Sequence, residues 1–213
     1  MEETKVVGKF DVVILGGSAG SLQVLMKILP LLNVQLPFAF VIVLHRKSTE
    51  DKTLEQLIDL KSTVNVREVE DKVLLVPGNI YIAPSNYHLL FEKDNYISLD
   101  ASEKVNYSRP SIDVSFESAA EVYKSKVLGI LLSGANADGT KGMQIIKDMG
   151  GTIIAQDPQT AETPFMPLNA IKFAKPDYIL TVEEIIDFIE YNPNSENTCP
   201  YGIMIKTLEG QHI

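Results

Sequence analysis

The sequence predicts an α/β domain of three layers, a doubly wound and mostly parallel sheet between helices, with a small antiparallel hairpin section. Apolar runs alternate with amphipathic stretches of helical period, the rhythm of strand-helix units. The strand candidates are apolar throughout rather than on every second residue, as expected of strands covered on both faces. Only the stretch from 73 to 99 breaks this rhythm, with short runs separated by Pro-Gly, Pro-Ser-Asn and Lys-Asp-Asn turns.

Taken in order, residues 10–15 (FDVVIL) read as a buried strand, followed by a glycine-rich turn and a helix over about 21–32. The run at 37–44 (PFAFVIVL) is a second strand; a helix over about 50–60 and a short strand at 64–69 follow. Runs at 73–76, 79–83, 87–92 and 96–99 are expected to pair as antiparallel hairpins. Ser111, with Asp113 in the first turn, is suited to cap a helix reaching about 123. Strands at 127–132, 152–155 and 177–180 then alternate with helices at about 139–149 and 167–173. Thr181-Val182-Glu183-Glu184 forms a capping box for a last helix to about 191. Residues 1–191 thus read as one domain, and 192–213 as a polar, turn-rich tail.

Composition narrows the function. A net charge of −9 with no cluster of Lys and Arg speaks against nucleic acid as a partner. The three histidines and the single cysteine, Cys199, are too scattered for a metal site and leave no internal disulfide. No apolar run reaches the roughly 18 residues that span a bilayer. The acidic start, Met1-Glu2-Glu3-Thr4, does not resemble a secretory signal, so no membrane insertion and a cytoplasmic location are expected.

In a parallel sheet, ligands bind beyond the carboxyl ends of the strands. Three residue types with joint chemistry stand at such ends. Gly16-Gly17-Ser18-Ala19-Gly20, after the first strand, fits Gly-x-Ser-x-Gly, a turn that lifts a serine hydroxyl out at the sheet edge. The competing possibility is a nucleotide phosphate loop. Ser18 and Ser21 occupy positions where that fingerprint wants a small backbone and a glycine. The second strand ends in His45 rather than in the acidic residue that would hold a ribose. An imidazole there could accept the serine proton, although a histidine near a core is often structural. Asp138, in Ser133-Gly134-Ala135-Asn136-Ala137-Asp138-Gly139, follows a third strand. It is either a helix cap or the carboxylate that orients His45. His88, in a hairpin, and His212, in the tail, are poorer bases; His88 reads as a structural or rim residue.

These residues lie in stretches that resemble the catalytic domain of the CheB-type chemotaxis protein-glutamate methylesterases. The similar segments are Val13-Ile14-Leu15-Gly16-Gly17-Ser18-Ala19-Gly20, Val43-Leu44-His45-Arg46, and Gly78-Asn79-Ile80-Tyr81-Ile82-Ala83-Pro84. Arg109-Pro110-Ser111-Ile112-Asp113, Leu132-Ser133-Gly134 through Asp138-Gly139, and Ala155-Gln156-Asp157-Pro158 with Met166-Pro167 and Ala170-Ile171 continue the series in family order. The resemblance implies a serine hydrolase that demethylates receptor glutamates, and can deamidate receptor glutamines, without any cofactor. Its nucleophile, base and orienting acid fall on Ser18, His45 and Asp138. Its oxyanion donors fall on the backbone N–H groups of Ala19 and Ala135.

This chain departs from the family pattern in several places. Ala19-Gly20-Ser21 replaces a frequent Thr-Gly-Gly, Ser133-Gly134-Ala135-Asn136 replaces a frequent Thr-Gly-Met-Gly, and Phe165 precedes Met-Pro where glycine is common. A first strand near residue 10 leaves no room for an N-terminal receiver domain, so the expectation is either an enzyme not regulated by phosphorylation in cis or a regulator on a separate chain. Arg46 and Lys47, beside the base, could form a positive rim to the site, or be solvated loop charges. The expected partners are methyl-accepting chemotaxis receptors. A non-catalytic receptor- or kinase-docking module on the same fold is the alternative.

Overall fold

A computed structural model describes residues 10–32, 36–45, 58 and 60–190. Seven parallel strands form its main sheet: β1 (Val12–Gly17), β2 (Ala39–Leu44), β3 (Asn65–Glu68), β5 (Asn79–Ile82), β8 (Val127–Leu131), β9 (Thr152–Gln156) and β10 (Tyr178–Leu180). Their spatial order is β10-β9-β8-β1-β2-β5-β3. The chain therefore winds outward from β1 in one direction and later returns to β8 on its other side. The strand order reverses between β1 and β8, where such sheets open a crevice. A separate antiparallel sheet joins β4 (Val73–Leu74), β7 (Tyr96–Asp100) and β6 (His88–Phe91).

The expectation for the middle section needs one correction. Residues 79–83 are not part of a hairpin; β5 runs parallel to β2 and β3 inside the main sheet. The reason is burial: Ile80, Tyr81 and Ile82 are all covered, which an exposed hairpin could not achieve. The other three short runs pair as expected.

Helices α1 (Ser21–Ile28), α2 (Ile112–Tyr123), α3 (Thr140–Asp148), α4 (Phe165–Phe173) and α5 (Val182–Glu190) cover the sheet. Successive residues of β1 point to opposite layers. Val13 and Leu15 pack with Leu25 and Ile28 of α1 and Ile185 of α5, whereas Val12 and Ile14 pack with Phe116 of α2, Met143 of α3 and Ala170 of α4. This is the three-layer arrangement that the uninterrupted apolar strands imply. The capping box holds: Thr181 Oγ1 accepts from the Glu184 N–H (3.2 Å) and Glu184 Oε2 accepts from the Thr181 N–H (2.8 Å). Of the helix expected over 50–60, only Ile58 and Leu60 are described, both helical; the tail from 192 lies outside the described residues.

Helices α2 and α3 pack closely through Gly142. A Cβ added there would stand 2.5 Å from Phe116 Cβ and 3.0 Å from the Asp113 carbonyl. Alanine should favour helix more than glycine does, yet here overpacking wins. Gly142→Ala is expected to lower unfolding stability by about 1–3 kcal/mol, measured by urea denaturation.

Candidate active site

Register brings the site together. Gly17 of β1 lies beside Leu44 of β2, so Ser18 and His45 are the next residues on adjacent strands, joined by a hydrogen bond from His45 N–H to the Gly17 carbonyl (3.0 Å). On the other side of β1, Gly16 pairs with Leu131 of β8, whose following loop carries Asp138. The three side chains thus come from the carboxyl ends of β8, β1 and β2, across the switch point.

The turn bearing Ser18 is fastened by serines. The Ser18 N–H donates to the Ser133 carbonyl (2.9 Å) and to Ser21 Oγ (3.1 Å), while the Ser21 hydroxyl donates to that same carbonyl (2.7 Å). The Ser133 hydroxyl in turn donates to the Ala19 carbonyl (2.6 Å) and accepts from the Thr163 N–H (2.9 Å). Gly20 takes a left-handed conformation (φ 82°) to start α1, a geometry that suits glycine. Ser21 thereby occupies the Ser18 amide that a phosphate loop would leave open to its ligand.

His45 and Asp138 form a bonded pair. Nε2 of the imidazole lies 2.7 Å from Asp138 Oδ2, with the carboxylate side chain fully buried and the histidine side chain 11% exposed. The aspartate does not cap its own helix; Gly139 is the N-cap of α3. Instead its carboxylate reaches across to the start of α2. Oδ1 accepts from Ser111 Oγ (2.9 Å) and the Asp113 N–H (3.1 Å), and Oδ2 also accepts from the Ile112 N–H (2.7 Å). Burial alone would raise the Asp138 carboxyl. The hydrogen bond from His45 and those from the Ile112 and Asp113 amides outweigh it, and the net direction is downward. The carboxylate is therefore ionised where it faces the imidazole.

Asp113 returns the favour to the other helix: its Oδ1 accepts from the Gly142 N–H in the first turn of α3 (2.7 Å). The two helices cap each other through crossed carboxylates. Asp113 has less support. Burial, followed by the nearby Asp138 charge opposing the Gly142 hydrogen bond, pushes its carboxyl up to about 6.

Ser18 stands beside this pair with its Cβ close to Gly134, where an added Cβ would come within 3.1 Å of it and 2.5 Å of Met166. Among the described residues no hydrogen bond joins the Ser18 hydroxyl to His45. The N–H groups of Ala19 and Ala135, both exposed residues, make no hydrogen bond among the described residues. Arg46 and Lys47 lie outside the described residues, as does His212. His88 is structural. It is 1% exposed, accepts from the Ser111 N–H (3.2 Å) at Nδ1 and meets the Glu103 carbonyl (3.0 Å) at Nε2, so it steadies the residue that supports Asp138. The linking roles of Ser111 and Asp113 carry no sequence signal of their own beyond the helix-start pattern at 111–113. Among the described residues no group of three His, Cys, Asp or Glu side chains could hold a metal ion.

A parallel, doubly wound sheet with serine, histidine and aspartate at three adjacent strand ends defines a hydrolase-type α/β domain. Residues 13–189 match the family model of the CheB methylesterase, and the chain belongs to that family. A Leptospira interrogans protein is 41% identical over 187 residues, which are 87% of this chain and 97% of that one. A Thermotoga maritima protein-glutamate methylesterase/protein-glutamine glutaminase is 37% identical over 185 residues, 85% of this chain but 54% of the relative. The crystal structure of the Thermotoga maritima CheB methylesterase catalytic domain superposes with a TM-score of 0.81 at 36% identity, covering 84% of this chain and 97% of that domain.

The Asp113 carboxyl makes a checkable contribution to stability. Its folded value, about 6, lies above the ordinary 3.8, so between those values the folded chain holds a proton the unfolded chain has released. The contribution is therefore present at low pH and is lost as pH rises through about 6. Wild type should lose on the order of 2–3 kcal/mol relative to Asp113→Asn as pH goes from about 4 to 7, read from urea unfolding at each pH.

Proposed function

We propose that this chain is a serine hydrolase that removes methyl groups from methyl-esterified glutamates of chemotaxis receptors, releasing methanol. The observation that carries the reading is the His45–Asp138 pair, bonded at 2.7 Å and set one residue across the β1–β2 register from Ser18. Family membership supports the substrate class.

Ser18 Oγ attacks the γ-carbonyl carbon of the ester, and its proton passes to His45. Because Nε2 faces Asp138, the accepting atom is Nδ1. Asp138, ionised and held by the start of α2, stabilises the imidazolium without taking its proton. The carbonyl oxygen gains negative charge as the carbon becomes tetrahedral. The Ala19 and Ala135 N–H groups, unbonded among the described residues, are the donors proposed to receive it. The imidazolium then gives its proton to the methoxy oxygen, the C–O bond breaks, and methanol leaves an acyl-enzyme. Water, losing a proton to His45, attacks that ester and frees the glutamate and Ser18. With a glutamine substrate the same sequence releases ammonia.

The fold and these roles require no organic cofactor. Met166, at the start of α4, packs on Gly134 beside Ser18, and the half-exposed Phe165 before it stands where the family commonly has a glycine. Substrate preference between ester and amide is expected to depend on that pair.

Methanol release from methylated receptor tests the reading. Wild type should turn over, and Ser18→Ala should lose on the order of 10⁴-fold or more of the rate while keeping its thermal unfolding midpoint. Equal rates in the two proteins would remove Ser18 as the nucleophile.

A further inference from the structure

Asn136 stands in the loop after β8, two residues before Asp138, where the related Thr-Gly-Met-Gly pattern has a glycine. Its side chain makes two hydrogen bonds. Oδ1 accepts from the Asp138 N–H (3.1 Å), and Nδ2 meets His45 Nδ1 at 3.4 Å. A backbone N–H can only donate, so the end of the carboxamide facing Asp138 is its oxygen. The end facing the imidazole is then the NH₂, which also can only donate. Nδ1 must therefore present a lone pair. On the far side of the ring, Nε2 faces a carboxylate and so carries the proton.

Every proton position in the loop follows from this chain of donors and acceptors. The hydrogen bonds run from the Asp138 N–H to Asn136, from Asn136 to His45, and from His45 back to the Asp138 carboxylate. They close a ring that begins and ends on one residue. We propose that Asn136 is a positioning residue that fixes His45 as its Nε2–H tautomer and occupies the Nδ1 lone pair at rest, so that its carboxamide must swing aside when Ser18 gives up its proton. This rests on Ser18 and His45 being nucleophile and base.

Two features of the geometry favour occupation over assistance. The lone pair that Asn136 holds is the one that must receive the Ser18 proton, and the serine hydroxyl has no bond to His45 among the described residues. Once protonated, Nδ1–H would point at the carboxamide hydrogens, donor against donor. Proton transfer to Nδ1 therefore requires the carboxamide to move. At 3.4 Å the contact is long and neutral, so its release requires little, and the block is a partial one.

The test uses the full chain with ¹⁵N-labelled histidine and a fluorophosphonate probe, its covalent adduct followed by intact mass. Wild type should show His45 protonated at Nε2, with a hydrogen-bonded lone pair at Nδ1. In Asn136→Ala the Nδ1 resonance should move toward that of an unbonded lone pair. The maximal labelling rate should rise about two- to tenfold, the scale of one neutral hydrogen bond, with the half-saturating probe concentration unchanged. Asn136→Ser, whose hydroxyl can still accept from the Asp138 N–H but is too short to reach the ring, should behave the same way and serves if the alanine variant fails to fold. An unchanged Nδ1 resonance, or a labelling rate equal to or below that of wild type in a folded variant, overturns the proposal. Failure of wild type to label at all would count instead against Ser18 as nucleophile, while the resonance comparison still decides whether Asn136 holds Nδ1.

Discussion

The buried carboxylate of Asp138 is the constraint on which the rest of this structure turns. An ionised group without solvent must be supplied with donors or it neutralises. Here four are supplied, by the Ser111 hydroxyl, the Ile112 and Asp113 amides, and the His45 imidazole. Three of those donors come from the start of α2, where unpaired N–H groups and the helix dipole already favour an anion. The fourth is the catalytic candidate itself. Meeting the electrostatic need of one side chain therefore fixes where α2 begins, which way the loop after β8 runs, and how the imidazole is turned.

Asp113 completes the arrangement from the opposite helix. Its carboxylate caps α3 through the Gly142 amide, so each helix start is held by an acid from the neighbourhood of the other. The close approach at Gly142 brings two carboxylates near one another. Only the one with the richer set of donors keeps its charge readily; the other is pushed toward neutrality. Two like groups in one small region thus acquire different protonation behaviour from the balance of burial, mutual charge and hydrogen-bond partners. The serines around Ser18 perform a parallel service for its turn, holding it against the loop after β8 through the Ser133 carbonyl.

Much of this was legible in the sequence, because strand ends are marked by where apolar runs stop. Ser18, His45 and Asp138 each follow such a run, and the parallel register needs no further information to set the first two side by side. The placement of β5 was not legible. Four residues bounded by turn signals look alike whether they join a hairpin or fill a parallel sheet, and only tertiary burial decides. The partners of Asp138 were hidden for a related reason. Ser111 and Asp113 carry the pattern of an ordinary helix start, and nothing local says that the anion at that start comes from 25 or more residues away. Asn136 shows the same limit on a smaller scale: its place in the loop is plain, but its direction depends on an N–H two residues on.

On the proposed mechanism the His45 imidazole acts only when Asp138 is an anion, and replacing that carboxylate by a carboxamide of the same shape tests this most directly. Asp138→Asn can still accept from the Ser111 hydroxyl and the Asp113 amide, but a carboxamide nitrogen turned toward the ring would oppose the Ile112 N–H and set the wrong tautomer. Fluorophosphonate labelling of Ser18 should fall by on the order of 10³–10⁴-fold in protein that remains folded. Labelling at the wild-type rate would show that His45 works without an anionic partner.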